Sequence, residues 1–277
     1  MELWFTEKQT KSLALSLSVK RTIHAEHTPY QELAVIETEQ YGRMLVLDGM
    51  VMLTEADEFV YHEMMAHVPL ALHPAPEDVL IVGGGDGGTA REVLKHREVA
   101  RVTLAEIDAR VVEVCREHLP ALSSGFADPR LRMAIGDGAA HVREHPGAYD
   151  VILVDSSEPI GPAEGLFARA FFQDAARALR PRGILVAQTE SPFVNGELIR
   201  ETYRRLREVF PFCRQYLASI PTYPSGLWSF ALAAMEDLDW LNPRGLPGIA
   251  CKYYSPEVHR ASFALPPFAA ALVAGEP

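Results

Sequence analysis

Acidic residues recur at the ends of apolar runs in this chain, where glycines bring backbone and ligand together. The run Gly83-Gly84-Gly85-Asp86-Gly87-Gly88 follows the apolar DVLIV, and Glu106 lies 23 residues beyond Gly83. Glycines there let a chain turn sharply and let a ligand lie against bare backbone. Alone they signal only a tight strand-to-helix turn. An acid at that distance, closing the next strand, can accept hydrogen bonds from both hydroxyls of a ribose. The pair points to an adenosine-type ligand. A third apolar run ends in Gly136-Asp137-Gly138, a carboxylate followed by a free N–H that can meet N6 and N1 of adenine. No Gly-Lys-Ser/Thr follows the glycines, so a P-loop is excluded.

An acid at the third strand end suits enzymes that use an S-adenosylmethionine-type ligand, whereas dinucleotide dehydrogenases do not need one. A fourth run, YDVILVD, leads into Asp155-Ser156-Ser157-Glu158-Pro159-Ile160-Gly161-Pro162. In an open α/β sheet ligands sit outside the carboxyl ends of the strands. Asp155 and Glu158, three residues apart on a proline-stiffened loop, then form an acidic patch over the reactive end of the ligand. The bland alternative is an exposed turn with incidental acids. His62 and His67 stand five apart, so on a helix of about 3.6 residues per turn they diverge by roughly 140° and cannot share a zinc. His24, His27, His73, His96, His118, His141 and His145 form no ligand-spaced set and are expected at the surface. No metal is expected.

Positioning these groups takes two kinds of structure. Residues 1–55 read as a small β-domain. Leu13, Leu15, Leu17 and Val19 alternate with polar or small residues, residues 31–38 and 44–47 look like strands, and Asp48-Gly49 between apolar runs signals a type I′ hairpin. Thr54-x-x-Asp57 resembles a capping box opening a linking helix within residues 56–76, with Tyr61, Met64, Met65 and Val68 on one side and Pro69 ending or kinking it. Residues 77–277 alternate strand and helix. The runs DVLIVG, RVTLAEI, LRMAIG, YDVILVD and GILVAQT are nearly continuous in apolar character, as strands covered on both faces are. Helices are expected near residues 88–97, 108–118, 137–144 and 167–179, and a hairpin near 213–219 and 227–234 is expected at an antiparallel edge. The expected fold is α/β: a doubly wound, mostly parallel sheet of nucleotide-binding type preceded by the β-domain.

Composition narrows the partners. Of 277 residues, 37 are acidic and 26 basic, for a net charge of −11. Nucleic acid and anionic membranes call for a basic face, so both are disfavoured. An acidic surface concentrates small cations, though solubility explains the charge equally well. Three scattered cysteines, Cys115, Cys213 and Cys251, suit a reducing compartment. The opening MELWFTEKQTKSLALS has no continuous apolar stretch, so no signal peptide or membrane span is expected there. A cytoplasmic location follows as the expectation.

Taken together, DEFVYHEM, GGGDGG, the LAEID strand end, the GDG turn, VDSSEPIGPAEGLF and IPTYPSGLWSF resemble the spermidine synthase family, in that family's order, across residues 31–230. The resemblance implies transfer of an aminopropyl group from decarboxylated S-adenosylmethionine, a co-substrate rather than a cofactor, to a diamine. Putrescine is the first choice of diamine. It implies Asp155 as the base that takes a proton from the attacking amine. It places Gln31, Glu106, Asp137, Gly138 and Pro162 against the nucleoside of the donor or of its product methylthioadenosine. His62, Asp86, Asp155 and Glu158 then line the amine path with the loop residues Ser156 and Ser157, flanked by Tyr61 and Tyr223. Position 158 is Glu where one form of the family has a second aspartate, which lengthens that arm by a methylene. The resemblance also implies that the doubly wound sheet is methyltransferase-like, and that the chain forms a homodimer or homotetramer joined through the β-domain. Two other readings share the fold: a small-molecule methyltransferase using intact S-adenosylmethionine, and a non-catalytic polyamine-binding protein.

Overall fold

The alternating residues of the first stretch form one antiparallel sheet of five strands, β1 (Leu3–Lys8), β2 (Ala14–His27), β3 (Glu32–Thr38), β4 (Arg43–Leu47) and β5 (Met50–Thr54), adjacent in space as in sequence. The computed structural model describes residues 2–157 and 161–274, with residues 161 and 162 by their backbone alone. Asp48 and Gly49 have φ of 48° and 77°, the left-handed pair that a type I′ turn between β4 and β5 requires.

The linking helix α1 (Glu58–Leu72) departs from expectation in three ways. It begins after Asp57 rather than at Thr54. The Thr54 hydroxyl donates to Asp57 Oδ1 at 2.6 Å, while Asp57 Oδ2 accepts from the Thr222 N–H and hydroxyl at 3.0 and 2.7 Å. The capping-box acid thus ties the helix start to a distant turn. The helix also runs past Pro69 to Leu72, where Arg244 holds the Leu70 carbonyl at 2.7 Å and its N–H the Ala71 carbonyl at 2.8 Å. Finally, it is buried on nearly every side, with Glu58, His62, Glu63 and His67 inside as well as the apolar stripe.

The second sheet holds β6 (Asp78–Gly83), β7 (Arg101–Glu106), β8 (Leu131–Ile135), β9 (Tyr149–Asp155), β10 (Leu179–Gln188), β11 (Phe212–Ser219) and β12 (Leu227–Ala234). Their spatial order is β11-β12-β10-β9-β6-β7-β8, parallel from β10 to β8 and antiparallel where β12 joins β10 and β11. Val79–Val82, Val151–Val154 and Ile184–Ala187 are buried throughout, because helices cover both faces. These are α2 (Gly88–Leu94), α3 (Ala109–His118), α4 (Gly138–Glu144), α5 (Arg169–Ala178) and α6 (Gly196–Arg207), followed by the short α7 (Pro256–Ser262) and α8 (Pro267–Val273). In α6, Tyr203 and Leu206 turn inward while Arg204 and Arg207 stay exposed.

Leu33, Val35, Leu45, Leu47 and Leu53 of the first sheet share one apolar cluster with Val111, Val114, Cys115, Leu119 and Leu122 on and just beyond α3. That packing fixes the β-domain over the carboxyl ends of the parallel strands. His73 and His96, expected at the surface, are instead buried. His96 bonds His67 at 2.9 Å, a partner supplied by another element. Among the described residues no helix is long and apolar enough to cross a membrane.

Candidate active site

β6 leads to β7 and β8 on one side and has β9 and β10 on the other, so the direction of winding reverses between β6 and β9. A crevice opens at such a switch point. Here Gly83 pairs in register with Asp155, and the Gly84 N–H donates to the Asp155 carbonyl at 2.8 Å. A Cβ on Gly83, whose φ is +84°, would lie 2.2 Å from that carbonyl oxygen. Glycine is needed there for both its conformation and its lack of bulk. The crevice continues into a cavity of about 560 Å³ roofed by the first sheet.

One end carries nucleoside-type groups. Glu106, at the tip of β7, accepts the Gly85 N–H at 3.1 Å and the Asp108 N–H at 2.9 Å. Burial, with added repulsion from Asp108 and Asp86, outweighs those two bonds and pushes its carboxyl up to about 7. Asp137 caps α4, its Oδ1 accepting from the Ala139 and Ala140 N–H groups at 2.8 and 3.3 Å. Gly138 is buried against Val82, which a Cβ would meet at 2.5 Å. Gln31 reaches across from the first sheet and donates from Nε2 to Asp108 Oδ2 at 3.0 Å. Gln31, Glu106, Asp137 and Gly138 line the cavity.

The other end gathers Asp155, Asp86, His62 and two tyrosines. Tyr61, on α1, donates its hydroxyl to Asp155 Oδ1 at 2.7 Å, while Asp155 Oδ2 is buried without a hydrogen bond of good geometry. Burial and the Asp86 carboxylate raise the Asp155 carboxyl above the usual range, against the opposing pull of His62, Thr89 and Tyr61. His62 lies between two carboxylates, with Nδ1 2.6 Å from Glu58 Oε2 and Nε2 3.2 Å from Asp86 Oδ1. Burial disfavours its charge, yet the two acids hold it up to about 10. Asp86 also accepts the Gly88 N–H at 2.7 Å. The Tyr223 ring lies 5.8 Å from that of Tyr61 and its hydroxyl donates to the Met52 carbonyl at 2.5 Å. The Ser156 and Ser157 carbonyls accept from Gln188 Nε2 at 3.3 and 3.4 Å. Glu158 and the Pro162 side chain lie outside the described residues.

Sequence reasoning missed part of the lining. Gln188 closes β10, and Glu190, buried with φ of 65°, accepts from Gln188 Nε2 at 3.1 Å. The strand-end rule that found Asp155 applies equally to GILVAQTE. Met52 and Glu7 of the first sheet and Trp228 of β12 also face the cavity. His62, Asp86 and Asp155 have metal-ligand types with atoms within 4.8 Å of one another. The two His62 nitrogens face Glu58 Oε2 and Asp86 Oδ1.

Comparison with known proteins agrees with this architecture. Residues 58–240 match the spermine/spermidine synthase domain, and residues 3–55 the spermidine synthase tetramerisation domain. A polyamine aminopropyltransferase of Moorella thermoacetica is 52% identical over 270 residues, covering 96% of this chain and 94% of the relative. One from Bacillus mycoides is 50% identical over 274 residues, covering 99% and 100%. A spermidine synthase in complex with the transition-state analogue AdoDATO has a TM-score of 0.94 and 42% identity, covering 98% of this chain and 95% of that one. The Thermotoga maritima spermidine synthase has a TM-score of 0.91 and 41% identity, covering 98% and 94%. The methyltransferase-like sheet, the β-domain before it and the motif resemblance therefore agree: this chain belongs to the spermine/spermidine synthase family of polyamine aminopropyltransferases.

Proposed function

We propose that the chain transfers the aminopropyl group of decarboxylated S-adenosylmethionine to putrescine, giving spermidine and methylthioadenosine. One observation carries this reading: a single cavity has a ribose-type acid, Glu106, on one side of the glycine loop and the cation-binding acids Asp86 and Asp155 on the other. Glu106 accepts the ribose hydroxyls, Asp137 and the Gly138 N–H meet the adenine edge, and Gln31 closes over the nucleoside. Tyr61 and Tyr223 wall the methylene chain and attract its ammonium. Ser156, Ser157, His62 and Asp86 line the amine path. Glu158 and Pro162 retain the roles that the family resemblance implies.

A protonated amine cannot attack carbon, so the nitrogen must lose a proton as it approaches. Asp155 takes that proton, its basicity raised by burial. The nitrogen lone pair forms the new N–C bond while the C–S bond breaks toward sulfur, turning the sulfonium into a neutral thioether. No metal or covalent intermediate is required, since the sulfonium is already a good leaving group. Positioning and charge placement make up the rest. Asp86, beside the glycine loop, favours the donor's free ammonium and repels the carboxylate of intact S-adenosylmethionine, which argues against the methyltransferase reading.

The working form is proposed to be a cytoplasmic homo-oligomer, dimer or tetramer. Residues 3–55 match a domain named for tetramerisation, and Leu3 and Trp4 on its outer strand are more than half exposed, a surface that a second copy would cover. Relative turnover of putrescine, cadaverine, agmatine and spermidine tests the acceptor. Highest kcat/KM with putrescine is expected. Faster turnover of any other amine overturns that choice, and S-adenosylhomocysteine formed from intact S-adenosylmethionine favours the methyltransferase.

A further inference from the structure

His62 sits on the buried helix α1 with 2% of its surface exposed. Its ring lies against Gly88, where a Cβ would come within 2.2 Å of Cε1, so the imidazole is wedged and cannot turn away. Tyr61 meets the ring edge-on with centroids 5.4 Å apart. Its two nitrogens face Glu58 Oε2 at 2.6 Å and Asp86 Oδ1 at 3.2 Å. A neutral imidazole has one donor and one lone pair. Whichever nitrogen carried the lone pair would confront a carboxylate oxygen at contact distance, so the pattern of partners demands protons on both.

The clamp continues outward. Glu58 Oε2 also accepts Arg91 Nη2 at 2.8 Å, and Arg91 Nε donates to Glu92 Oε1 at 2.9 Å. On the other side, Asp86 Oδ1 is held by the Gly88 N–H at 2.7 Å as well as by His62. The charges around His62 are therefore Glu58 from α1, Asp86 from the glycine loop, Arg91 from α2 and Asp155 from β9. Asp86 and Glu58 each have a cation bonded to them. Asp155 is bonded to the Tyr61 hydroxyl, not to a cation.

We infer that Glu58 and Arg91 are positioning residues of the amine site: together with Asp86 they fix His62 as a standing imidazolium that holds Asp86 ionised in one orientation, so the incoming ammonium meets Asp155 as its proton acceptor. The inference rests on the amine site proposed above and gives the buried ion chain behind it a task. His62 is then a fixed cation and takes no proton from substrate. Asp86 keeps one orientation and stays ionised, so it does not compete with Asp155 for the proton. Loss of the Glu58 charge leaves one acid against the burial that opposes the imidazolium, so the ring becomes neutral within the working pH range.

The test combines histidine ring NMR of the ligand-free enzyme from pH 6 to 10 with the pH profile of kcat/KM for putrescine. Loss of one signal in His62→Gln identifies the residue. The wild-type ring should carry both protons up to pH 9. In Glu58→Gln the midpoint should fall by about 1–3 pH units, the usual effect of one adjacent opposite charge. A new step should appear in the kcat/KM profile at the same midpoint. Arg91→Met removes a cation, so the midpoint should not fall, but KM for putrescine should rise as Glu58 loses its second partner, with Arg91→Lys restoring it. If Glu58→Gln fails to fold, the double variant Glu58→Gln/Arg91→Met leaves no unpaired Arg91 and should still lower the midpoint, by less than Glu58→Gln alone. A ring that is neutral at pH 8 in the wild type overturns the inference. So does a Glu58→Gln enzyme, single or double variant, that only loses thermal stability while His62 and the profile stay unmoved. Failure of the amine-site reading would look different: no putrescine-dependent methylthioadenosine from the wild type, whatever the state of His62.

Discussion

Replacing Glu106 with Gln and lowering the pH through 7 remove the same charge from the nucleoside end of the cavity. The carboxyl is buried and held up to about 7. Both ribose hydroxyls must donate to it, so only the ionised form binds fully. With a midpoint near 7, the ionised fraction falls about tenfold between pH 8 and pH 6, which costs about 1.4 kcal/mol of affinity. Methylthioadenosine binding measured by calorimetry across pH 5.5–8.5 should follow that slope. Buffers of different ionisation enthalpy should report about half a proton released per binding event at pH 7. Glu106→Gln should bind weakly and with no slope in this range. The empty enzyme should move the other way. A carboxyl raised above its unfolded value of 4.5 holds its proton more tightly when folded, so native stability falls as pH rises from about 4.5 to about 7. Above pH 7 the lost stability amounts to as much as about 3 kcal/mol. Glu106→Gln should therefore melt higher than the wild type at pH 8 while binding nucleoside worse. Flat wild-type affinity across the range, or the same slope in the variant, would refute the ribose assignment.

Asp155→Asn should slow the chemical step by about 10²–10⁴-fold, the range for losing a general base, with methylthioadenosine affinity retained in calorimetry. Tyr61→Phe removes a hydroxyl that favours the ionised Asp155. The acid limb of the kcat/KM profile should therefore move up by roughly one pH unit, the worth of one hydrogen bond to a charge; an unmoved limb would count against that bond. Gly88→Ala would place a Cβ 2.2 Å from the wedged His62 ring. It should cost about 1–3 kcal/mol in thermal unfolding, as overpacking does, and raise KM for putrescine. Wild-type stability and KM would show that the ring can yield.

The glycine loop, Glu106, Asp137 and Asp155 were legible because their signals are local: each is the end of an apolar run, and the fold rule says what strand ends do. The Asp48-Gly49 turn was legible for the same reason. The interior of α1 was not. A buried helix carrying Glu58, His62, Glu63 and His67 has no polar face, and the residues that satisfy those charges come from elsewhere. Arg91 meets Glu58, His96 meets His67, and the backbone N–H groups of Lys252, Tyr253 and Tyr254 meet Glu63. The helix runs past Pro69, and its last carbonyls are satisfied by Arg244, a contact 174 residues away in sequence. The seven-residue α7 and α8 are too short to show a 3.6-residue period. Gln188 and Glu190 were missed because β10 ends on an uncharged glutamine, where β7 and β9 end on the acids Glu106 and Asp155.

The central claim is that one cavity joins a nucleoside donor and a diamine so that a propylamine passes between them. It is tested most directly by supplying decarboxylated S-adenosylmethionine, labelled in the aminopropyl carbons, together with putrescine, and following both products in time. Spermidine carrying the label should appear in equal amounts with methylthioadenosine, and its rate of formation should fall by about 10²–10⁴-fold with Asp155→Asn while donor binding persists. Donor consumed without labelled spermidine, or spermidine formed at the wild-type rate by Asp155→Asn, would contradict the account.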